Sequence, residues 1–301
     1  MRYSVITKNS ERELSLPLPN MRLIRDYSEF FKEMEMPNRI AKLFSNCKEQ
    51  DRAAFIGYVC ACDPDFETSL RICKALVENG VDLLELGVPF SDPLADGLTN
   101  QLAAQRALEA GCVGEDVFRL VEEIRKFSQV PIVFYTYFNL IFSQGSEAYV
   151  KRAKEAGVDG LLTLDLPPEE SEELVEISHK HGMNNIFIIA PTTPESRIPK
   201  IIHQASGFIY YVSREGVTGA REDLAGNLKE RVGLIRKHTD LPVVVGFGIS
   251  NPDQVREVAA CADGVVVGSA LVNCIPENLE QPSLIPEKIG EKAILLTSGL
   301  A

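Results

Sequence analysis

Eight short apolar runs, each followed by a stretch of helical pattern, constrain this chain more than any other feature. The runs are Ala53–Val59, Asp82–Leu86, Pro131–Thr136, Gly160–Leu164, Asn185–Ile189, Phe208–Val212, Pro242–Val245 and Gly264–Val267. They are short and apolar rather than alternating, so each reads as a strand buried on both faces. Between them lie helical patterns over Glu67–Asn79, Gln101–Ala110, Glu147–Ala156, Glu169–His181, Glu195–Gln204 and Leu228–His238. Val117, Leu120, Val121, Ile124 and Phe127 form a further apolar stripe at helical spacing. Asn251-Pro252-Asp253 reads as a helix start, with Asn at the cap and Pro in the first turn. A last amphipathic helix is expected between Ser283 and Thr297, and a short one over Arg39–Cys47 precedes the first strand.

Eight strand-then-helix units predict a single α/β domain, a parallel (β/α)8 TIM barrel, over residues 37–301. The structural competitor is an open doubly wound sheet, which usually stops near about six strands and opens on a dinucleotide loop. No Gly-x-Gly-x-x-Gly follows Ala53–Val59. Residues 1–36 read as an N-terminal extension. Met1–Asn20 is polar, holds Pro17 and Pro19, and lacks the apolar centre of a signal peptide. Arg22–Met36 carries Leu23, Ile24, Tyr27, Phe30 and Phe31 at the spacing of one amphipathic helix.

The formal charge of −12 argues against nucleic acid as a partner, since phosphate backbones reward Lys and Arg. No run approaches the ~18 apolar residues of a membrane span. Seven scattered cysteines, an odd number, fit a reduced cytoplasmic setting. Cys60-Ala61-Cys62 invites a metal, but no second cysteine pair or nearby histidine completes a ligand set, so packed free thiols and no metal are expected.

Chemistry is concentrated in Leu84-Glu85-Leu86-Gly87-Val88-Pro89-Phe90-Ser91-Asp92-Pro93-Leu94-Ala95-Asp96-Gly97. Glu85 interrupts a buried strand, which is costly unless the carboxyl is paired or put to use. Gly87, Pro89, Pro93 and Gly97 then force a shaped loop that carries Ser91, Asp92 and Asp96. One acid is dehydrated and the other sits in a polar loop, so their pKa values diverge; that suits one to proton transfer and the other to holding charge. The same residues also fit an acidic turn with a buried, hydrogen-bonded glutamate.

In barrels of this kind the loops after strands seven and eight commonly bind phosphate. Here they read Gly246-Phe247-Gly248-Ile249-Ser250 and Gly268-Ser269, glycines that let backbone N–H groups approach an anion, although glycine also simply turns a chain. After strand six, Ser213-Arg214-Glu215-Gly216-Val217-Thr218-Gly219-Ala220-Arg221 has the glycines and charges of a lid, or of an ordinary mobile loop.

Leu84–Gly97 closely resembles the signature of the tryptophan synthase α subunit family, and Tyr210–Gly219, Gly246–Ser250 and Gly268–Ser269 match its other motifs in order. The resemblance covers residues 38 to 275. It implies a lyase that cleaves indole-3-glycerol phosphate, by a retro-aldol step, to indole and glyceraldehyde 3-phosphate. By the same resemblance Glu85 is the general acid/base and Asp96 the carboxylate that pairs with the indole N–H. Tyr210 then lines the site near Glu85, Thr218 is the lid threonine that reaches Asp96, and Phe55 and Tyr137 line the indole pocket. Gly219, Gly248, Gly268 and Ser269 match positions around the phosphate. No cofactor is implied in this chain; pyridoxal phosphate would belong to a partner β subunit, in an α2β2 assembly, that receives the indole and faces the loop at Asp92 and Pro93.

Three departures from the family pattern stand out. Cys60-Ala61-Cys62-Asp63-Pro64 replaces Thr-Ala-Gly-Asp-Pro, Leu98 stands where proline commonly follows Asp-Gly, and Asn100 replaces an apolar residue. The alternatives are a catalytically weak homologue that mainly binds and activates its partner, or another phosphate-binding barrel enzyme. An indole-glycerol-phosphate synthase would want a lysine at a strand end, and none of the eight runs contains one.

Overall fold

A computed structural model describes residues 38–213, 221–246 and 248–300. The expected extension over residues 1–36, with its amphipathic helix, lies outside the described residues. From Asn38 onward the chain runs α1 (Arg39–Glu49), β1 (Ala54–Cys60), α2 (Phe66–Glu78), β2 (Leu83–Gly87), α3 (Leu98–Glu109), α4 (Gly114–Arg125) and β3 (Ile132–Thr136). It continues through α5 (Phe138–Phe142), α6 (Ser146–Ala156), β4 (Gly160–Thr163), α7 (Glu172–Lys180), β5 (Asn184–Ile189), α8 (Ile198–Gln204), β6 (Ile209–Val212) and α9 (Arg221–Arg236). The last units are β7 (Val243–Gly246), α10 (Pro252–Ala259), β8 (Gly264–Val267), α11 (Ser269–Val272) and α12 (Ile285–Thr297). All neighbouring strands pair in parallel, in the order β1 to β8, and β8 closes on β1. This is the TIM barrel that the eight runs predicted.

α1, α2 and α10 start where a side chain satisfies free N–H groups. Asn38 accepts from Ile40 and Ala41, Asp65 from Thr68, and Asn251 from Gln254. A second use of short acids sets the floor of the barrel. Asp82, Asp159 and Asp263 each stand just before an even-numbered strand, and each accepts an N–H from the start of the preceding odd-numbered strand. Asp82 takes Phe55 N–H at 2.8 Å, Asp159 takes Ile132 N–H at 2.9 Å, and Asp263 takes Val243 N–H at 2.8 Å. Arg52, Arg125 and Arg236 respectively pair with these carboxylates, so each strand start is both capped and charge-balanced.

Strand residues alternate between two cores. Ala54, Ile56, Leu83, Val133, Leu162, Ile186, Phe208, Val244 and Val266 fill the barrel interior, and α1 adds Ile40, Phe44 and Cys47 from below. Phe44 meets Phe208 at 5.7 Å between ring centroids. The outward residues, Phe55, Val59, Leu84, Leu86, Phe134, Leu161, Val245 and Val265 among them, pack against the helices. Burial of each such side chain contributes about 1.5–3 kcal/mol.

This alternation corrects one expectation. Phe55 does not line a central pocket: it points outward, is fully buried between the sheet and the helices, and its neighbours Ala54 and Ile56 are the ones that face the interior. Three further differences are local. α9 begins at Arg221, seven residues before the expected Leu228, which shortens the loop after β6. α5 and α11 are helices of five and four residues, too short for a 3.6-residue period to show in the sequence.

Candidate active site

The C-terminal ends of the strands hold a cluster built around Glu85 and Asp96. Glu85 faces the barrel interior from the middle of β2, flanked in register by Tyr58 on β1 and Val133 on β3. It is 2 % exposed, and its Oε1 has no hydrogen-bond partner among the described residues. Burial, with the Asp96 charge adding to it, pushes the Glu85 carboxyl up to about 8. At neutral pH it is therefore a carboxylic acid with a proton to give.

Asp96 hangs from the loop after β2, half-buried, and its side chain is tightly held. Tyr137 Oη donates to Oδ2 at 2.6 Å, Tyr135 Oη donates to Oδ1 at 2.9 Å, and Asn100 Nδ2 donates to Oδ1 at 3.3 Å. The loop itself is tied down by Gln101 Nε2 to the Asp96 carbonyl at 2.8 Å and by Ala95 N–H to Tyr137 Oη at 3.0 Å. Phe90 packs on the Tyr137 ring at 4.9 Å. Gly97 then caps α3, which begins at Leu98. A proline is not needed to start that helix.

Tyr210 projects from β6 into the same space. Its hydroxyl lies against Gly246, where an added Cβ would sit only 2.5 Å away, and burial and the Glu85 charge push its phenol well above the ordinary tyrosine range. Gly248 takes a left-handed conformation at φ 68° and is exposed, as is Ser269. Gly268 follows β8 and caps the short α11. The structure thus brings Glu85, Asp96, Tyr137 and Tyr210 to one end of one barrel, with Gly248, Gly268 and Ser269 on the loops of that same end. Phe55 stays outside, as described above. Thr218 and Gly219 lie outside the described residues, as does most of the expected lid.

Two side chains of this cluster were not anticipated. Tyr58 and Tyr135 stack edge to face at 5.0 Å inside the upper barrel, over Gly87, where an added Cβ would lie 2.4 Å from Tyr58 Oη. The signal was the register: Tyr58 is the residue of β1 opposite Glu85, and Tyr135 is two residues after Val133, on the same inward face. Asn100 has a signal nearer at hand, since it lies four residues after Asp96 at the start of a helix. Cys60 and Cys62 pack as thiols against Ala103, Ala104 and Ala107 of α3. Cys62, where the family pattern has glycine, holds φ 62°. Among the described residues no group of His, Cys, Asp and Glu is arranged to hold a metal ion.

Comparison with known proteins gives one consistent match. The family profile described as "Tryptophan synthase alpha chain" matches residues 44–294. The "Tryptophan synthase alpha chain" of Opitutus terrae is 65% identical over 262 residues, 87% of this chain and 98% of the relative. That of Methanoregula boonei is 45% identical over 255 residues, 84% of this chain and 95% of the relative. Among solved structures, tryptophan synthase subunit alpha from Legionella pneumophila superposes with a TM-score of 0.81 at 35% identity, covering 87% of this chain and 98% of that one.

Proposed function

The chain belongs to the tryptophan synthase alpha chain family, and on that premise we propose that its barrel mouth cleaves indole-3-glycerol phosphate to indole and glyceraldehyde 3-phosphate. The bond to break joins indole C3 to the glycerol chain. Breaking it requires a proton on C3, removal of the proton from the adjacent glycerol hydroxyl, and accommodation of positive charge on the ring.

Glu85 supplies the first two. As a neutral acid it gives its proton to C3, and the carboxylate so formed takes the hydroxyl proton as the aldehyde forms. Asp96 supplies the third, accepting from the ring N–H where cationic charge develops only in the transition state. Tyr137 holds Asp96, and Tyr210 packs beside Glu85. Backbone N–H groups at Gly248, Gly268 and Ser269 bind the phosphate. The family resemblance adds Thr218 as the lid contact to Asp96 and Gly219 as a further phosphate contact. The observation that carries this reading is a buried Glu85 whose Oε1 is unpartnered among the described residues, next to a loop carboxylate held by phenols.

The reaction needs no cofactor in this chain; pyridoxal phosphate belongs to a β subunit that takes up the indole in an α2β2 assembly. Leu94, 92% exposed, and Leu98, 70% exposed, support a protein partner at this mouth, since water is a poor neighbour for both. The catalytic body is residues 37–301, preceded by an extension over 1–36. Among the described residues no helix is long and apolar enough to cross a membrane. Seven free thiols support a reducing, cytoplasmic setting.

The test is indole release from indole-3-glycerol phosphate by the full chain, with and without a β subunit. Glu85→Gln, which keeps shape and removes the proton donor, is expected to lower turnover by about 10²–10⁴-fold while phosphate-dependent binding persists. Near-normal turnover of that variant would overturn the assignment.

A further inference from the structure

The carboxylate of Asp96 can accept about four hydrogen bonds, two at each oxygen. Oδ1 already has two donors, Tyr135 Oη at 2.9 Å and Asn100 Nδ2 at 3.3 Å. Oδ2 has one, Tyr137 Oη at 2.6 Å. The Asn100 amide is oriented by this contact, because the reverse orientation would set its oxygen against a carboxylate; its own Oδ1 is buried without a partner. Among the described residues, then, Oδ2 is the more open of the two acceptor oxygens of Asp96.

We propose that Tyr135 and Asn100 are positioning residues that occupy Oδ1, so that Asp96 meets a ring N–H through Oδ2 alone. This rests on the indole reading of the site given above. Tyr135 is well placed for the task. Its ring is braced edge to face on Tyr58, which stands in register with Glu85, and its backbone lies opposite Gly87, the side-chain-free position that leaves room for the Tyr58 ring. The phenol therefore ties β3, the strand next to the one carrying the acid, to the loop carrying the anion, and fixes which carboxylate oxygen faces the ring. Asn100, at the start of α3, holds the same oxygen from the other side. A ring without an N–H donor leaves the more open Oδ2 without that bond in a partly dehydrated site, which disfavours it.

The chain contains no tryptophan, so indole fluorescence reports binding directly. Indole and 1-methylindole, titrated into the full chain, are the probes. The wild-type chain is expected to prefer indole by roughly tenfold or more, the range for a hydrogen bond to a charged group. Tyr135→Phe is expected to bring the two affinities close to each other, and to lower kcat for indole release from indole-3-glycerol phosphate with little change in KM. Asn100→Leu, which also frees Oδ1, carries the same expectation and serves if Tyr135→Phe does not fold.

Tyr135→Phe binding that keeps the full preference for indole overturns the proposal, and so does an equal loss of affinity for both probes, which is what a packing role alone would give. Wild-type protein that binds the two probes equally overturns the proposal together with the assignment of Asp96 to the ring nitrogen. Wild-type preference with an unaltered variant overturns the proposal alone.

Discussion

Asp63 and Arg106 face each other fork to fork: Arg106 Nε donates to Asp63 Oδ1 at 2.8 Å and Nη2 donates to Oδ2 at 2.7 Å. Asp63 lies three residues beyond β1 and is 0% exposed, whereas Arg106 is on α3, the helix that starts directly behind Asp96. The pair fastens the first loop of the barrel to the helix that carries the second. Burial pushes the Asp63 carboxyl above its usual range, with Arg106 pulling the other way.

Removing one partner of such a pair leaves a buried group without compensation. Arg106→Ala is expected to cost about 3–5 kcal/mol of stability, read as a lower urea midpoint. Arg106→Lys keeps the charge but not the two-pronged geometry, and is expected to fall between the two.

Glu85 makes stability depend on pH. Its carboxyl has an ordinary value of 4.5 and a folded value of about 8. Below pH 4.5 both folded and unfolded chains hold the proton, and the protein keeps the full benefit. Between the two values the folded chain retains a proton that the unfolded chain has lost, so the contribution shrinks as pH rises, by about 1.4 kcal/mol per pH unit, and is gone above pH 8. Urea unfolding of wild type and Glu85→Gln between pH 5 and 8 should show wild type losing ground steadily to the variant. Indole release should fall over the same upper limb as the donor proton is lost; a flat difference in stability would contradict the buried acid.

Phe55 separates packing from binding. Phe55→Ala is expected to destabilise the fold by about 3–5 kcal/mol and to leave KM for indole-3-glycerol phosphate unchanged when assayed well below its melting temperature. A raised KM with unaltered stability would return Phe55 to the pocket.

Gly246 is a position where a single methyl group reaches the site. A Cβ there would stand 2.5 Å from Tyr210 Oη and 2.8 Å from Val266 Cβ. Gly246→Ala is expected to cost about 1–3 kcal/mol and to push the Tyr210 ring aside. Turnover should therefore fall, and Tyr210→Phe in the same chain should restore part of it by removing the crowded hydroxyl.

All eight strands were legible because a parallel barrel buries both faces of every strand, and runs such as Val243–Gly246 are apolar throughout. That same property hid which way each side chain points. In β1 every residue is buried, so nothing in Ala54–Cys60 says that Phe55 faces the helices and Tyr58 faces Glu85. Only the pairing of β1 with β2 fixes the parity. Glu85 and Asp96 were legible because acids at a buried strand end and in a proline-rich loop are hard to explain by packing. Tyr135 was not, since its contact with Asp96 spans 39 residues of sequence. Asn100 read as a departure at the partner-facing segment, and its bond to Asp96 gives it a place within the cluster.

α1 seals the lower end of the barrel, with Phe44 against Phe208 and Ile40 and Cys47 beside it. Above that plug Leu83, Val133, Leu162 and Val244 fill the interior, so among the described residues the cluster at Glu85 and Asp96 stands over a packed floor. Nothing can drain downward through such a floor, and Leu94 and Leu98 stand exposed on the loop and helix beside Asp96, so whatever covers them decides whether an uncharged aromatic product meets water or is handed on.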